Sequence, residues 1–456
     1  MIEFENNCLV CLLNRKFIFG FLHAYTGVSS TMKNLISLII IIFFPYFGLD
    51  AQTLFNNGAF IRAQNGAFIS ISGSVKNNNL GILNIEGDGI SSNAVLKVSQ
   101  DVINNATINA NGFIRLNGDW IDNNMYASTT GTVFFEGANQ ILGGTAATIF
   151  FNLTLDGSGV KTQTINKYAN GVLDLKSLQL NTDIYSFYVN NTSTNSIIRT
   201  SGFVSSANGG FLSRKTSSNA VYLFPVGSNA NSSANIPGSG TSRFRPVQII
   251  PNDALTNTYS VRMANVNATT EFYDLNLTDA DFCTLNPLFY HQINRSFGTS
   301  SADIIISFDA TTDGIWEGLA RWNITSSNLW QKILNSSVVS GSPYSLASKL
   351  AWSNFNFTPY ILYNNKPIVQ VSCNNICLNQ LTPISANVES SGVFAYSWTT
   401  PINYNPNPGN VSSFNAGLGG DYCVTVTNTI TNCVSDPTCC SFSVSQPPMI
   451  NAISPP

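Results

Sequence analysis

At 456 residues, with 21 Lys+Arg against 24 Asp+Glu and a formal net charge of -3, the chain has no basic footprint for nucleic acid or anionic membrane. Only 10% of its residues are charged, against about 25% in ordinary soluble proteins, while 30 Phe and 16 Tyr favour strands. That balance suits an exported all-β protein better than a cytosolic enzyme, and the length allows about two to four domains.

The first 51 residues read as an upstream extension and a signal peptide. Met32-Lys33-Asn34 precedes "LISLIIIIFFPYF", an apolar core at 35–47. That run is near the length of a signal-peptide core and short of the roughly 18 residues that span a bilayer. Cleavage is expected at Ala51-Gln52, which leaves no integral membrane domain, and translation starts at Met1 or Met32. The competing reading is an uncleaved signal anchor. No Cys follows the cleavage point, which argues against a lipid anchor there.

From 52 to 210 the chain repeats a phrase. "FISISGSVKNNN", "LKVSQDVINN" and "GFIRLNGDWIDNN" superpose with Ile71, Val98 and Leu116 in one column, Val75, Val102 and Trp120 in another, and Asn78, Asn105 and Asn123 at the close. Each copy is a short half-buried strand, a corner and a second strand. One copy cannot bury its apolar column alone, so the copies are expected to stack as a right-handed β-solenoid-like repeat region. The Asn runs would line one corner, where Asn tolerates left-handed backbone and bonds its own turn. A flat β-sandwich is the alternative for this region.

After "SNANSSANIPGSGTS" the rhythm changes to longer loops and the strand-like runs "FRPVQII", "TYSVRMA", "LFYHQINRSF", "ADIIISFDA", "LARWNIT" and "NLWQKIL". With Trp316, Trp322 and Trp330 as bulky core, 220–365 is expected to be an antiparallel β-sandwich. Over 366–447, Trp398 on one strand faces Tyr422, Val424 and Val426 on another, the layout of an immunoglobulin-like sandwich with Tyr422 at the tyrosine corner. The Pro-rich 448–456 reads as a linker cut short. Among the cysteines, Cys8 and Cys11 go with the leader and Cys283 stands alone. Cys373, Cys377, Cys423, Cys433, Cys439 and Cys440 read as disulfide partners of open connectivity in an exported chain. A metal site from Cys373, Cys377, Cys439 and Cys440 is the competing reading, without a nearby His to support it.

Taken together, the signal peptide, "SGFVSSANGGFLSR", "VYLFPVG" (221–227) and "RFRPVQI" (243–249) resemble the large secreted surface proteins of the Bacteroidota, the gliding-motility-associated or type IX-secreted type. "YSWTT" and "GDYCVTVTN" are similar to the PKD-like modules of the same proteins. The resemblance implies export and a place at or outside the cell surface. It also implies a C-terminal sorting domain, which this sequence does not display.

Catalytic chemistry finds little support in the residues. A solenoid enzyme acting on polysaccharide needs converging acids or a metal. The solenoid region holds Glu86, Asp88, Asp101, Asp119, Asp122, Glu136, Asp156, Asp174 and Asp183, and only Asp101 and Asp119 share a column. Those two are expected to cap backbone amides at a corner, so no residue is assigned as catalytic. His291 is expected to pack within a strand. Asp309, Asp313 and Glu317, around Gly314, are candidate Ca²⁺ ligands without full EF-hand spacing; no other cofactor or metal is expected. The favoured function is a non-enzymatic adhesin or surface scaffold, secreted or on the cell surface, whose partners are extracellular glycans or other surface proteins. The alternative is a carbohydrate-active enzyme using the solenoid groove, or a glycan binder using exposed aromatics such as Trp316 or Trp352.

Overall fold

The computed structural model describes residues 52–206, 208–229, 241–280, 282–324, 328–355 and 359–446, with the backbone of Ile2–Phe4 and Cys11–Leu12. The apolar run at 35–47, most of the Gly/Ser/Asn loop and the Pro-rich end lie outside these residues. The protein is nearly all-β, 3% helix and 51% strand, and begins as a β-solenoid of about 8 turns. Among the described residues no helix is long and apolar enough to cross a membrane.

Each turn lays down three short strands, one in each of three parallel sheets. Leu54–Asn57, Phe60–Ala63 and Phe68–Ile71 form the first turn, and each strand pairs in parallel with its counterpart in the next. Alternation along every strand sends one set of side chains inward and the other out. The inward set stacks in columns. Ile69, Leu96, Ile114, Val133 and Leu153 are successive register partners, and the last four are fully buried. The expected columns of Ile71, Val98 and Leu116 and of Val75, Val102 and Trp120 are adjacent rungs of these ladders, which excludes a flat sandwich here. Parallel strands evenly spaced in this way need the residue-by-residue apolar match that the repeats supply.

Trp120 fills the interior between turns, edge-on to Tyr126 at 5.2 Å and beside Phe150 at 5.6 Å. The parallel stacking ends at Phe211–Thr216, which pairs in parallel with Ser186–Val189 on one side and antiparallel with Asn257–Ala264 on the other. Arg214 is buried at this end, where its guanidinium donates to the carbonyls of Ser193, Thr194 and Leu223 and lies over the Tyr222 ring. Three backbone carbonyls and an aromatic face thus hold a charge that would otherwise be costly to bury.

The chain divides into two compact units: Met1–Asn265 with Gln292–Asp303 and Ala351–Phe357, and Val266–His291 with Ile304–Leu350 and Thr358–Pro456. In the second unit Gly318–Asn323 pairs antiparallel with Leu329–Lys332 and Pro359–Asn365, and Trp322 lies opposite Trp330 with ring centroids 5.5 Å apart. Its last stretch holds two three-stranded antiparallel sheets, Val369–Ser372, Thr382–Val388 and Ser413–Ala416 in one, and Phe394–Thr399, Gly420–Asn428 and Thr438–Phe442 in the other. Val369, Ile384, Trp398, Tyr422, Val424, Val426 and Phe442 share one core. The Tyr422 hydroxyl donates to the Leu418 carbonyl at 2.7 Å, tying the strand to the corner before it. Tyr422→Phe removes only that bond. It is expected to lower the stability of this core by about 1 kcal/mol, read as an earlier urea midpoint of the Trp398 fluorescence change.

Three disulfides close the second unit: Cys283–Cys433, Cys373–Cys440 and Cys423–Cys439. Cys283 therefore does not stand alone. It takes Cys433 across 150 residues of sequence, and Cys377 is left as an exposed free thiol. Cys423 and Cys439 are cross-strand neighbours in one sheet, because Cys423 points away from the face that Tyr422 and Val424 bury.

Candidate functional site

Polar chemistry in the solenoid concentrates at one corner, where the chain turns from the first sheet to the second. The turn follows two residues after each apolar column, and there the chain places Asn56, Asn77, Asn104 and Asp122, all buried. Side-chain amides join them coil to coil. Asn56 donates to Asn77 at 2.9 Å, Asn77 to Asn104 at 3.1 Å and Asn104 to Asp122 at 2.9 Å, across steps of 21, 27 and 18 residues. Each amide also holds its own turn, as Asn77 does in donating to the Gly81 carbonyl, and Asn77 reaches the Thr107 carbonyl of the next coil as well. A second, exposed ladder runs beside it, with Asn105 donating to Asn78 at 2.6 Å and Asn123 to Asn105 at 2.7 Å. The Asn corner expected from the sequence is thus two parallel ladders, and it begins a coil earlier, with Asn56 in the inner ladder and Asn57 accepting from Asn79 beside it.

The inner ladder ends in charge. Asp122 accepts from Thr148 at 2.8 Å, and Thr148 in turn accepts from Lys167 at 2.9 Å and from the Trp120 indole at 3.2 Å. Lys167 spends its other donors on the Gly143 and Ala146 carbonyls. Burial raises the Asp122 carboxyl above the usual carboxylate range, against the bonds from Thr148 and Asn104. Burial likewise lowers Lys167 to about 8, with Asp122 only partly opposing it. Lys161 repeats the device one corner away, donating to the Gly137, Ala138 and Ser158 carbonyls, and burial lowers it too to about 8.

These lysines set a pH dependence. A lysine that releases its proton at about 8 when folded and at about 10.5 when unfolded carries fewer protons in the folded chain across that interval. Stability is therefore expected to rise with pH from about 8 towards 10, before tyrosine ionisation opposes it. Urea unfolding at steps through that range checks the slope, and Lys167→Met should flatten it. A slope of the opposite sign would contradict the assignment.

All nine solenoid carboxylates are occupied in comparable ways. Asp101 accepts from the Asp119 backbone N–H at 2.8 Å, and Asp119 from that of Ile141 at 2.8 Å, so the shared column of Asp101 and Asp119 is a ladder of backbone caps. Glu86 pairs with Arg62 at 2.7 Å, Glu136 with Arg115 at 2.6 Å and Asp174 with Lys176 at 2.9 Å. Asp88 caps the backbone of Ile90 and Ser91, Asp156 that of Gly157, and Asp183 accepts from Asn208. Asp122 belongs to the inner ladder.

The candidate calcium ligands do not converge. Asp309 caps the short helix Ala310–Asp313 by accepting from Thr311, Asp313 accepts from the Asp309 N–H at 2.9 Å, and Glu317 takes both the backbone and side-chain N–H of Asn365. Among the described residues no group of three His, Cys, Asp or Glu side chains could hold a metal ion. His291 is buried, edge-on to Phe289 at 5.7 Å. Trp316 is not an exposed platform: it is 8% exposed and its indole donates to the Asp313 carbonyl. Trp352 is half-buried. An open hollow of about 490 Å³ in the second unit is lined by Lys332, Tyr363, Asn365, Lys366, Ser390 and Asp436, with Lys366 and Asp436 paired at 2.8 Å. Compared with known protein families, with curated proteins and with solved structures, the chain matches none.

Proposed function

We propose that this chain is an exported, non-enzymatic surface protein that acts as an adhesin or scaffold, of the kind found among the large secreted surface proteins of the Bacteroidota. The observation that carries the reading is the commitment of all nine solenoid carboxylates to caps, ion pairs and ladders, a use that builds a stiff stack. A right-handed winding, a β-sandwich over 220–365 and an immunoglobulin-like, PKD-like module over 366–447 complete the proposal. The Tyr422 hydroxyl bond to Leu418 and the buried Trp398 support the last of these. Three disulfides accord with an oxidising compartment outside the cytosol. Contact with glycans or other surface proteins would fall to the loops of the second unit, because loops carry exposed and variable side chains on a rigid scaffold.

The test is protease accessibility on intact cells that express the chain. Loss of the protein from unbroken cells, with a cytosolic marker spared, is the expected result. A chain that is cut only after lysis would overturn the placement.

A further inference from the structure

In the second unit one aromatic ring is held out of the fold. Phe272 is 93% exposed, and its backbone is left-handed, with φ at 72°, at the cap that ends the short 3₁₀ turn Ala268–Glu271. Glycine or asparagine is the usual residue at such a cap, and a bulky side chain at positive φ is an outlier. Its neighbours hold it there. The Phe272 N–H donates to the Ala268 and Thr269 carbonyls. On one side the Glu271 carboxylate accepts from the hydroxyl of the buried Tyr290. On the other the Tyr273 ring lies edge-on to Tyr290 at 5.7 Å and to Trp322 at 5.8 Å. The left-handed turn between these two anchors packs Tyr273 against the fold and projects Phe272 from it. A fixed, exposed ring on strained backbone gives up stability for presentation, and such outliers cluster at binding sites.

The surroundings choose the ligand. Thr269, Thr270 and Asn276 are exposed on either side of Phe272 in the chain and offer hydroxyls and an amide. Residues 266–291 carry Glu271, Asp274, Asp279 and Asp281 and no Lys or Arg. One aromatic ring presents about 150–250 Å², against the roughly 800 Å² that each side of a stable protein interface buries. Leu277, 48% exposed, adds too little to make up the difference. A sugar ring matches a phenyl ring in size, with an apolar C–H face and a rim of hydroxyls that both donate and accept. We infer that Phe272 is a binding platform for an uncharged saccharide, whose C–H face stacks on the ring while its hydroxyls meet the polar groups of the same loop. Sugars that carry carboxylates are disfavoured by the like charge of the segment. Where the sequence pointed to Trp316 or Trp352, the exposed aromatic is Phe272. The inference rests on the reading that loops of the second unit meet glycans.

The test is binding of the purified chain to arrayed oligosaccharides, some uncharged and some bearing uronic or sialic acids, with Phe272→Gly and Phe272→Trp chains alongside. The unaltered chain should bind uncharged sugars, and Phe272→Trp should keep that binding. Phe272→Gly should bind about tenfold more weakly, while its urea midpoint stays level or rises because glycine suits the left-handed cap. A ring that served the fold would instead lower the midpoint together with the binding, and that result would overturn the inference. So would binding confined to the acidic sugars. Undiminished binding by Phe272→Gly would place the contact elsewhere and leave the adhesive reading standing, whereas an unaltered chain that binds no sugar would remove both.

Discussion

Asn104→Leu is expected to uncouple the third coil of the solenoid from both neighbours while leaving its volume filled. Asn104 donates to Asp122 and to the Met125 carbonyl and accepts from Asn77 and from the Ala106 N–H. A leucine of the same branched shape breaks all four bonds and opens no cavity, so the loss reports hydrogen bonding and tight packing rather than a void. Buried groups left unpaired cost about 1–3 kcal/mol each. Allowing for relaxation, a local loss of about 3 kcal/mol follows, or about a hundredfold faster amide exchange in the flanking coils. Because a solenoid is stabilised by nearest-neighbour contacts, the faster exchange should stay within 75–127 and spare the terminal sheets. Exchange unchanged there would mean that the ladder is decorative.

Trp120→Ala tests packing at the adjacent rung. The side chain is fully buried against Tyr126 and Phe150, and its indole N–H donates to Thr148. Truncation creates a large cavity, and such changes cost about 3–5 kcal/mol. The loss should fall between the coils that contain Trp120 and Leu142, its register partner. Hydrogen exchange on peptides from 107–155 reads it, with loss of protection centred there. A Trp120→Phe chain should keep most of the protection, since it retains the aromatic contacts and gives up only the bond to Thr148.

The register of the early coils was legible because the apolar column and the Asn pair two residues later recur together. Val75 with Asn77-Asn78 and Val102 with Asn104-Asn105 carry the signal plainly. Leu54 with Asn56-Asn57 is a further copy with Gln52 in the corner column, hidden because Asp50 stands where the others place the apolar Ile71, Val98 or Leu116. Asp122, Thr148 and Lys167 were not legible as a group. They meet through coils whose corners differ in length, so no fixed spacing links them.

Two misreadings have local causes. Cys283 finds Cys433 only through the fold of the second unit, since 150 residues of sequence separate them. Trp316 reads from the sequence both as bulky core and as an exposed aromatic, and only the first holds: the short helix capped by Asp309 presents the Asp313 carbonyl to its indole, and the ring is buried. The same cap engages two of the three candidate calcium ligands, Asp309 and Asp313, at a spacing that serves a helix end.

The central claim is that the polar residues of the solenoid hold coils together and leave the chain to adhere without cutting. Glycan-array binding by the purified chain, with newly released sugar ends assayed in the same wells, tests it most directly. Binding with no new reducing or unsaturated ends is the predicted result. New ends that disappear in an Asp101→Asn, Asp119→Asn chain would contradict it, and would make that pair of backbone caps a catalytic pair after all.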